Sequence, residues 1–263
     1  MESSLRTEAL ARFNRYAQGY ELPDGKIKLK VAHMVRVGAI IRDLAEQLGW
    51  NARDCDLAYI CGLFHDIGRF EQVAQYGTFT DGVSVNHAEL GCEVIVADGL
   101  LKFLTADDEE RILTAILNHN RLLIEPSVPE GPTLEMCHLI RDADKVDIFR
   151  VVAEDDLIDT VGVGREALEA DCVSDYVYEC CMNDRCVDYS KRETYLDRLV
   201  AKLTYFYDMH FDASVRLAFE QGWYSQPYKT MQFQERATSK RVGEVVSHVE
   251  GYVKLRIASE HSS

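Results

Sequence analysis

The sequence predicts an all-α protein. Apolar residues recur at three- and four-residue spacing in one segment after another, and a helix-start residue such as Asn51 stands before such a run. No stretch alternates apolar and polar residues as a half-buried strand does, and no internal repeat or low-complexity segment interrupts the pattern.

Residues 3 to 20 place Leu5, Leu10, Phe13 and Tyr16 among polar neighbours and read as a helix, with a short turn ending at Gly25. A long helix follows from about Ile27 to Leu48. On it Val37, Ile40, Ile41 and Leu44 continue the face of His33, so this imidazole belongs on or beside the buried stripe. Asn51 caps the next helix with Asp54 in its first turn. That helix carries Leu57, Ile60, Cys61 and Phe64 and delivers His65 and Asp66 at its far end. An adjacent imidazole and carboxylate converge on one ion only where the backbone bends, and Gly68 supplies a helix-end signal there.

Residues 76 to 86 read as a loop rich in turn formers. His87 then opens a helix with Leu90, Val94 and Ile95 on its apolar side, and Gly91 one turn on leaves room beside the ring. Asp107 and Asp108 precede a helix in which His119 continues the stripe of Ile112 and Ile116. A loop with Pro126, Pro129 and Pro132 leads to a helix from Thr133 to about Val152. On this helix Asp144 shares a face with Cys137, Ile140, Ile148 and Val151, where a carboxylate is costly to bury unless it is paired or binds metal.

Past residue 155 chemical signals thin out. Gly162-Val163-Gly164 reads as a turn rather than a phosphate loop. Leu196 to Trp223 reads as one aromatic helix packed in a core, and Phe233 to Ala258 as a closing amphipathic helix. Cys172, Cys180, Cys181 and Cys186 lack the Cys-x-x-Cys pairs of a zinc site and read as buried thiols.

At 263 residues the chain can bury a sizeable core, and its net charge of −15 argues against a nucleic-acid surface. An anionic substrate would therefore need a local cationic centre. No apolar run reaches the roughly 20 residues of a membrane helix, and the start lacks a basic-then-apolar secretory layout. The eight cysteines are thus expected as reduced thiols in a cytoplasmic protein.

Taken together, His33, His65, Asp66, His87, His119 and Asp144 come from separate helices near apolar faces. Imidazole with carboxylate and no thiolate suits first-row divalent ions in a site that leaves coordination positions open. The order His33, then His65-Asp66-Ile67-Gly68-Arg69, then Asn86-His87-Ala88-Glu89-Leu90-Gly91, then Ala143-Asp144-Lys145-Val146-Asp147 resembles the HD-domain superfamily of metal-dependent phosphohydrolases. The resemblance covers roughly Lys26 to Val152.

Residues 155–263 match no motif of the family and are expected as a C-terminal helical region packed as one body on the core, residues 1–154; the resemblance implies that this core has the helical HD-domain fold. It further implies that His33, His65, Asp66 and Asp144 hold one ion, with Asp142 as the fallback for Asp144. In members with two ions, His87 and His119 match the positions that bind the second, with Asp66 bridging. The ions implied are divalent transition metals, one or two per chain: Fe, Mn or Zn, with Ni, Co and Mg as further candidates.

The reaction implied is hydrolysis of a phosphoester, of a nucleotide or related small molecule, by metal-activated water that Asp66 orients. Arg69, Lys145 and Arg36 would offset phosphate charge, and Asp147 would hydrogen-bond a ligand histidine. Two other readings stand beside it. One is a di-iron oxygenase acting on a small phosphonate- or polyol-like substrate; the other is a non-catalytic domain that keeps metal only for stability. The partner expected is a small phosphorylated molecule, with no nucleic-acid polymer, no membrane and a possible homodimer.

Overall fold

A computed structural model describes residues 3–20 and 26–260 of the chain. The turn expected at Gly25 lies outside the described residues. Among the described residues the regular structure is entirely helical. The chain divides into two compact units, Met1–Asp144 and Lys145–Ser263, and the division falls within a single helix.

The first unit is built from α1 (Ser4–Ala17), α2 (Lys26–Gln47), α3 (Ala52–Phe64), α4 (Gly68–Tyr76), α5 (His87–Ala97), α6 (Ala106–Asn118) and the first part of α7 (Pro132–Glu154). Side-chain oxygens stop the orphan amides at several helix starts. Asn51 accepts from the Asp54 amide, Asn86 from the Ala88 amide and Thr105 from the Asp108 amide. Asp107 and Asp108 therefore lie in the first turn of α6, not before it. A helix there tolerates their charge because its N-terminal amides favour anions.

Fully buried Met34, Ile41, Leu57, Leu63, Ile95 and Ile112 form much of this unit's core. Helices α2 and α3 touch backbone to backbone. A Cβ on Gly62 would meet the Gly38 backbone at 2.9 Å, which fixes the spacing between the helix carrying His33 and the one delivering His65. Phe13 lies edge-on to Phe64 and Phe70, with ring centroids 5.9 and 6.3 Å away, so one ring anchors both ends of the His65-Asp66 bend.

Gly68 does a different job from the one its sequence position suggested. It adopts helical rather than left-handed geometry and opens α4. Its lack of a side chain matters because a Cβ there would sit 2.2 Å from the His87 carbonyl oxygen and 2.5 Å from the Gly91 amide nitrogen. Gly91 is small for the same contact, its own Cβ position being 3.2 Å from the Gly68 nitrogen. The room it leaves is taken by a neighbouring helix, not by the His87 ring.

The second unit contains the end of α7, α8 (Leu157–Thr160), α9 (Arg165–Glu169), α10 (Asp175–Met182), α11 (Tyr195–Val200), α12 (Tyr205–Asp208), α13 (Asp212–Gln221), α14 (Gln226–Lys229) and α15 (Arg236–Glu260). The single helix expected over Leu196–Trp223 is broken. A 3-10 turn spans Ala201–Thr204, and Met209 to Phe211 leave helical geometry. The carbonyls exposed by this break find a partner in Arg256, whose guanidinium donates to Met209 O and His210 O at 2.9 Å each.

The aromatic residues are core, as their spacing suggested. Phe149 stacks on Phe206 at 5.0 Å, and Tyr224 meets Phe206 edge-on at 5.2 Å. Of the four cysteines expected to be buried here, Cys180 and Cys181 are. Cys172 is exposed and Cys186 half-buried, because both stand in irregular segments outside α10. No helix of the described residues is long and apolar enough to cross a membrane.

Candidate metal centre

Six side chains from five helices and their ends meet in the first unit. His33 comes from the middle of α2, His65 and Asp66 from the bend after α3, and His87 from the first residue of α5. His119 follows α6 as its C-cap, and Asp144 lies on α7. All four imidazoles are buried, at 6% exposure or less, and Asp66 is 4% exposed.

Asp144 Oδ1 is 3.1 Å from His33 Nε2 and 3.6 Å from His65 Nε2. The two oxygens of Asp66 face opposite ways. Oδ2 is 3.9 Å from His33 Nε2 and 3.8 Å from His65 Nε2, whereas Oδ1 is 3.2 Å from His87 Nε2 and 3.7 Å from His119 Nε2. His33, His65 and Asp144 form one group able to hold a metal ion, and His65, Asp66 and His119 another.

The outer nitrogens decide what these rings can offer. The Nδ1–H of His65 donates to the Gly62 carbonyl at 2.8 Å, and that of His119 to the Ile116 carbonyl at 2.6 Å. His87 Nδ1 is 2.6 Å from Asp81 Oδ2. With its Nδ1 proton committed, a neutral ring presents a lone pair at Nε2. Yet His87 Nε2 and His119 Nε2 stand 3.0 Å apart, and the buried His65 Nε2 has no hydrogen-bond partner.

Protonating His119 is no remedy. Burial, opposed by a hydrogen bond with Asp66 and reinforced by the neighbouring imidazoles, pushes its pKa down to about 4. Burial would raise the Asp66 carboxyl, but the Lys30 and His65 charges and hydrogen bonds from His119 and His87 outweigh it, holding it well below the usual range. Asp144 is likewise held low, against burial, by His33 and His65. Imidazole nitrogens thus converge on two carboxylates held ionised, so a divalent cation fits their chemistry.

The surroundings hold these rings still. Asp81 Oδ1 takes Arg69 at 2.8 Å and Gln72 at 2.9 Å, and Asn120 reaches Asp81 Oδ2 at 3.3 Å. Burial opposes ionisation of Asp81, but His87, Arg69 and Gln72 together keep its pKa well below normal. Buried Arg141 donates to the carbonyls of Asn118, Arg121 and Leu122, tying down the chain that carries His119.

The remaining sequence candidates are placed as follows. Arg69 brings Nε to 3.5 Å from Asp66 Oδ1, while its Nη1 is spent on Gln72, Phe79 O and Asp81. Lys145 pairs with Asp208 at 2.6 Å. Arg36 is half-buried one turn along from His33. Asp142 and Asp147 are buried but belong to neither metal-holding group among the described residues, and the partners found for Nδ1 of His65, His87 and His119 do not include Asp147.

Sequence reasoning missed three residues at this site. Lys30 donates to Asp66 Oδ2 at 2.7 Å, Asp81 orients His87, and Asn120 bonds both Asp81 and Asn86. Lys30 precedes His33 by one turn, a spacing that could have drawn notice; Asp81 stood in a turn-rich loop where a carboxylate raises no question.

Residues 31–148 match the family model of the HD domain. The chain carries an HD domain. No curated protein and no solved structure matches the chain significantly. The HD domain indicates a metal-dependent hydrolase superfamily whose members bind divalent metals, in keeping with the clusters described above.

Proposed function

We propose that this HD-domain protein is a phosphohydrolase that cleaves a phosphoester of a nucleotide or related small molecule at a two-ion centre in the cytoplasm. The observation carrying this reading is the division of labour within Asp66, whose oxygens address separate pairs of imidazoles. A bridging carboxylate is what a pair of ions requires. His33, His65 and Asp144 with Asp66 Oδ2 would hold one, and His87 and His119 with Asp66 Oδ1 the other. Fe, Mn and Zn suit this donor set best.

Divalent ions held by these residues would supply an acidified water and positive charge for phosphoryl oxygens, the chemistry that in-line hydrolysis of a phosphoester requires. The chain's own part is to present the donors ready ionised. Asp66 and Asp144 are carboxylates at neutral pH, and His119 stays neutral. Asp81 fixes the His87 ring so that Nε2, not Nδ1, faces the centre. Arg69 lies against Asp66 Oδ1, whereas Lys145 is engaged by Asp208.

The test is phosphate release from a panel of phosphomonoesters and phosphodiesters by protein reconstituted with Mn(II), Fe(II) or Zn(II). It should be run with and without oxygen. Turnover that persists anaerobically supports the proposal, whereas turnover that needs oxygen, or none with any ion, defeats it.

A further inference from the structure

Lys30 is the nearest cation to the heart of the centre, yet it is neither a metal donor nor a residue the sequence motif marks out. It projects from α2 one turn before His33, with 18% of its side chain exposed and Nζ 2.7 Å from Asp66 Oδ2. Its ammonium also lies 5.7 Å from the centre of the Phe79 ring, and the Phe79 carbonyl accepts from Arg69. The oxygen it holds is the one facing His33 and His65. An ion held by His33 and His65 would therefore share this carboxylate oxygen with Lys30.

Like charges sharing one oxygen compete, and the flexible partner yields. A lysine has four rotatable carbons and a pivot on the Phe79 face, so it can swing away without disturbing α2. The site gives it a destination: an anionic oxygen on a ligand seated over the ions. Arg69 has less freedom to swing, because its Nη1 is bound into the loop at Phe79 and Asp81.

Resting on the phosphohydrolase reading, we propose that Lys30 is the residue that grips the phosphoryl group. Asp66 holds it until an ion draws Oδ2 away, and metal loading then releases it toward the substrate. The two halves of this exchange have opposite signs. Replacing Lys30 by a neutral residue of similar length should tighten ion binding, because a competitor has gone, and weaken anion binding, because a grip has gone.

The experiment uses the full chain as wild type, Lys30→Met and Lys30→Arg. Mn(II) is titrated into metal-stripped protein by calorimetry, and inorganic phosphate into the Mn(II)-loaded protein. For Lys30→Met we expect the Mn(II) Kd to fall and the phosphate Kd to rise, each by about tenfold, the worth of one charge-assisted hydrogen bond. Lys30→Arg, which keeps the charge, should stay within about threefold of wild type in both.

A purely structural role for Lys30 would weaken both affinities together or change neither, and either result overturns the proposal. So does a loaded wild-type protein that binds no phosphate. Phosphate binding that responds to Lys30 in a protein without phosphoesterase turnover would defeat the reaction proposed above while leaving the role of Lys30 standing.

Discussion

His87 Nε2 lies 3.0 Å from His119 Nε2, and each ring has its other nitrogen committed, to Asp81 and to the Ile116 carbonyl. Two lone pairs at that distance repel unless a positive charge stands with them. The proposed two-ion reading sets an ion count. Wild-type protein should hold about two equivalents of metal per chain, and His87→Ala and His119→Ala about one each. Elemental analysis of protein purified without added metal measures this, with circular dichroism as the check that the helices persist. One equivalent in all three proteins would leave this pair of rings without a metal role.

Asp81→Asn keeps the shape of the side chain but gives up its charge. The His87 ring then loses the carboxylate that fixes its orientation. Metal affinity or turnover should drop about 10- to 100-fold, the usual cost of losing an outer carboxylate from a ligand histidine. Calorimetric titration with Mn(II) reads the change. A variant equal to wild type would make the 2.6 Å contact incidental.

Lys145 pairs with Asp208, so its loss should be felt in folding and not at the ions. Lys145→Met is expected to cost about 2–4 kcal/mol in urea denaturation, since it leaves a half-buried carboxylate without its partner. Its metal content should equal that of wild type. Full stability combined with lost metal would reverse the assignment.

Gly68→Ala tests the contact between α4 and α5. The added methyl would be 2.2 Å from the His87 carbonyl oxygen, and both atoms belong to rigid backbone. A loss of about 3 kcal/mol or more is expected, the upper end for overpacking, and thermal denaturation would show it. An alanine variant as stable as wild type would mean that the two helices can part without cost.

Lys202, in the second unit, supplies a pH dependence. Burial, and then the charges of Arg192 and Arg198, bring its pKa down from 10.5 to about 7. The folded chain therefore releases a proton that the unfolded chain keeps between those two values. Stability owed to this group rises with pH across that window, and the penalty is fully present below pH 7. Lys202→Met should therefore raise the melting temperature at pH 7, and the gain should shrink as pH approaches 10.5. A gain independent of pH would point to packing alone.

Much of the first unit could be read from residue spacing because its helices bury one face each, and a ligand histidine on such a face inherits their periodicity. His33 and His119 are read this way, whereas the preference for Asp144 over Asp142 comes from the resemblance to HD domains. Asp81 and Asn120 escaped notice for the opposite reason. Both lie outside the α-helices, Asp81 in a three-residue 3-10 turn, where no period tells whether a polar side chain folds inward.

The break between Val200 and Asp212 was invisible for a third reason. Its residues keep helical spacing, and what ends the helix is distant in sequence: Arg256 capping the carbonyls and Lys145 drawing on Asp208. Gly68 shows a limit of another kind. A glycine after a helix reads as a left-handed stop, and only three dimensions reveal that it is there to let a second backbone approach.

The carboxylate that steadies His87 rides on a short 3-10 turn at the surface, Asp81–Val83, not on an α-helix. Thr80, Gly82 and Val83 around it are exposed, Val83 by 76%. Anything that tugs on this outer segment, from a proteolytic nick to a crowding neighbour, reaches an imidazole of the buried cluster through one hydrogen bond. The imidazoles of the cluster are buried, yet they have a handle on the outside.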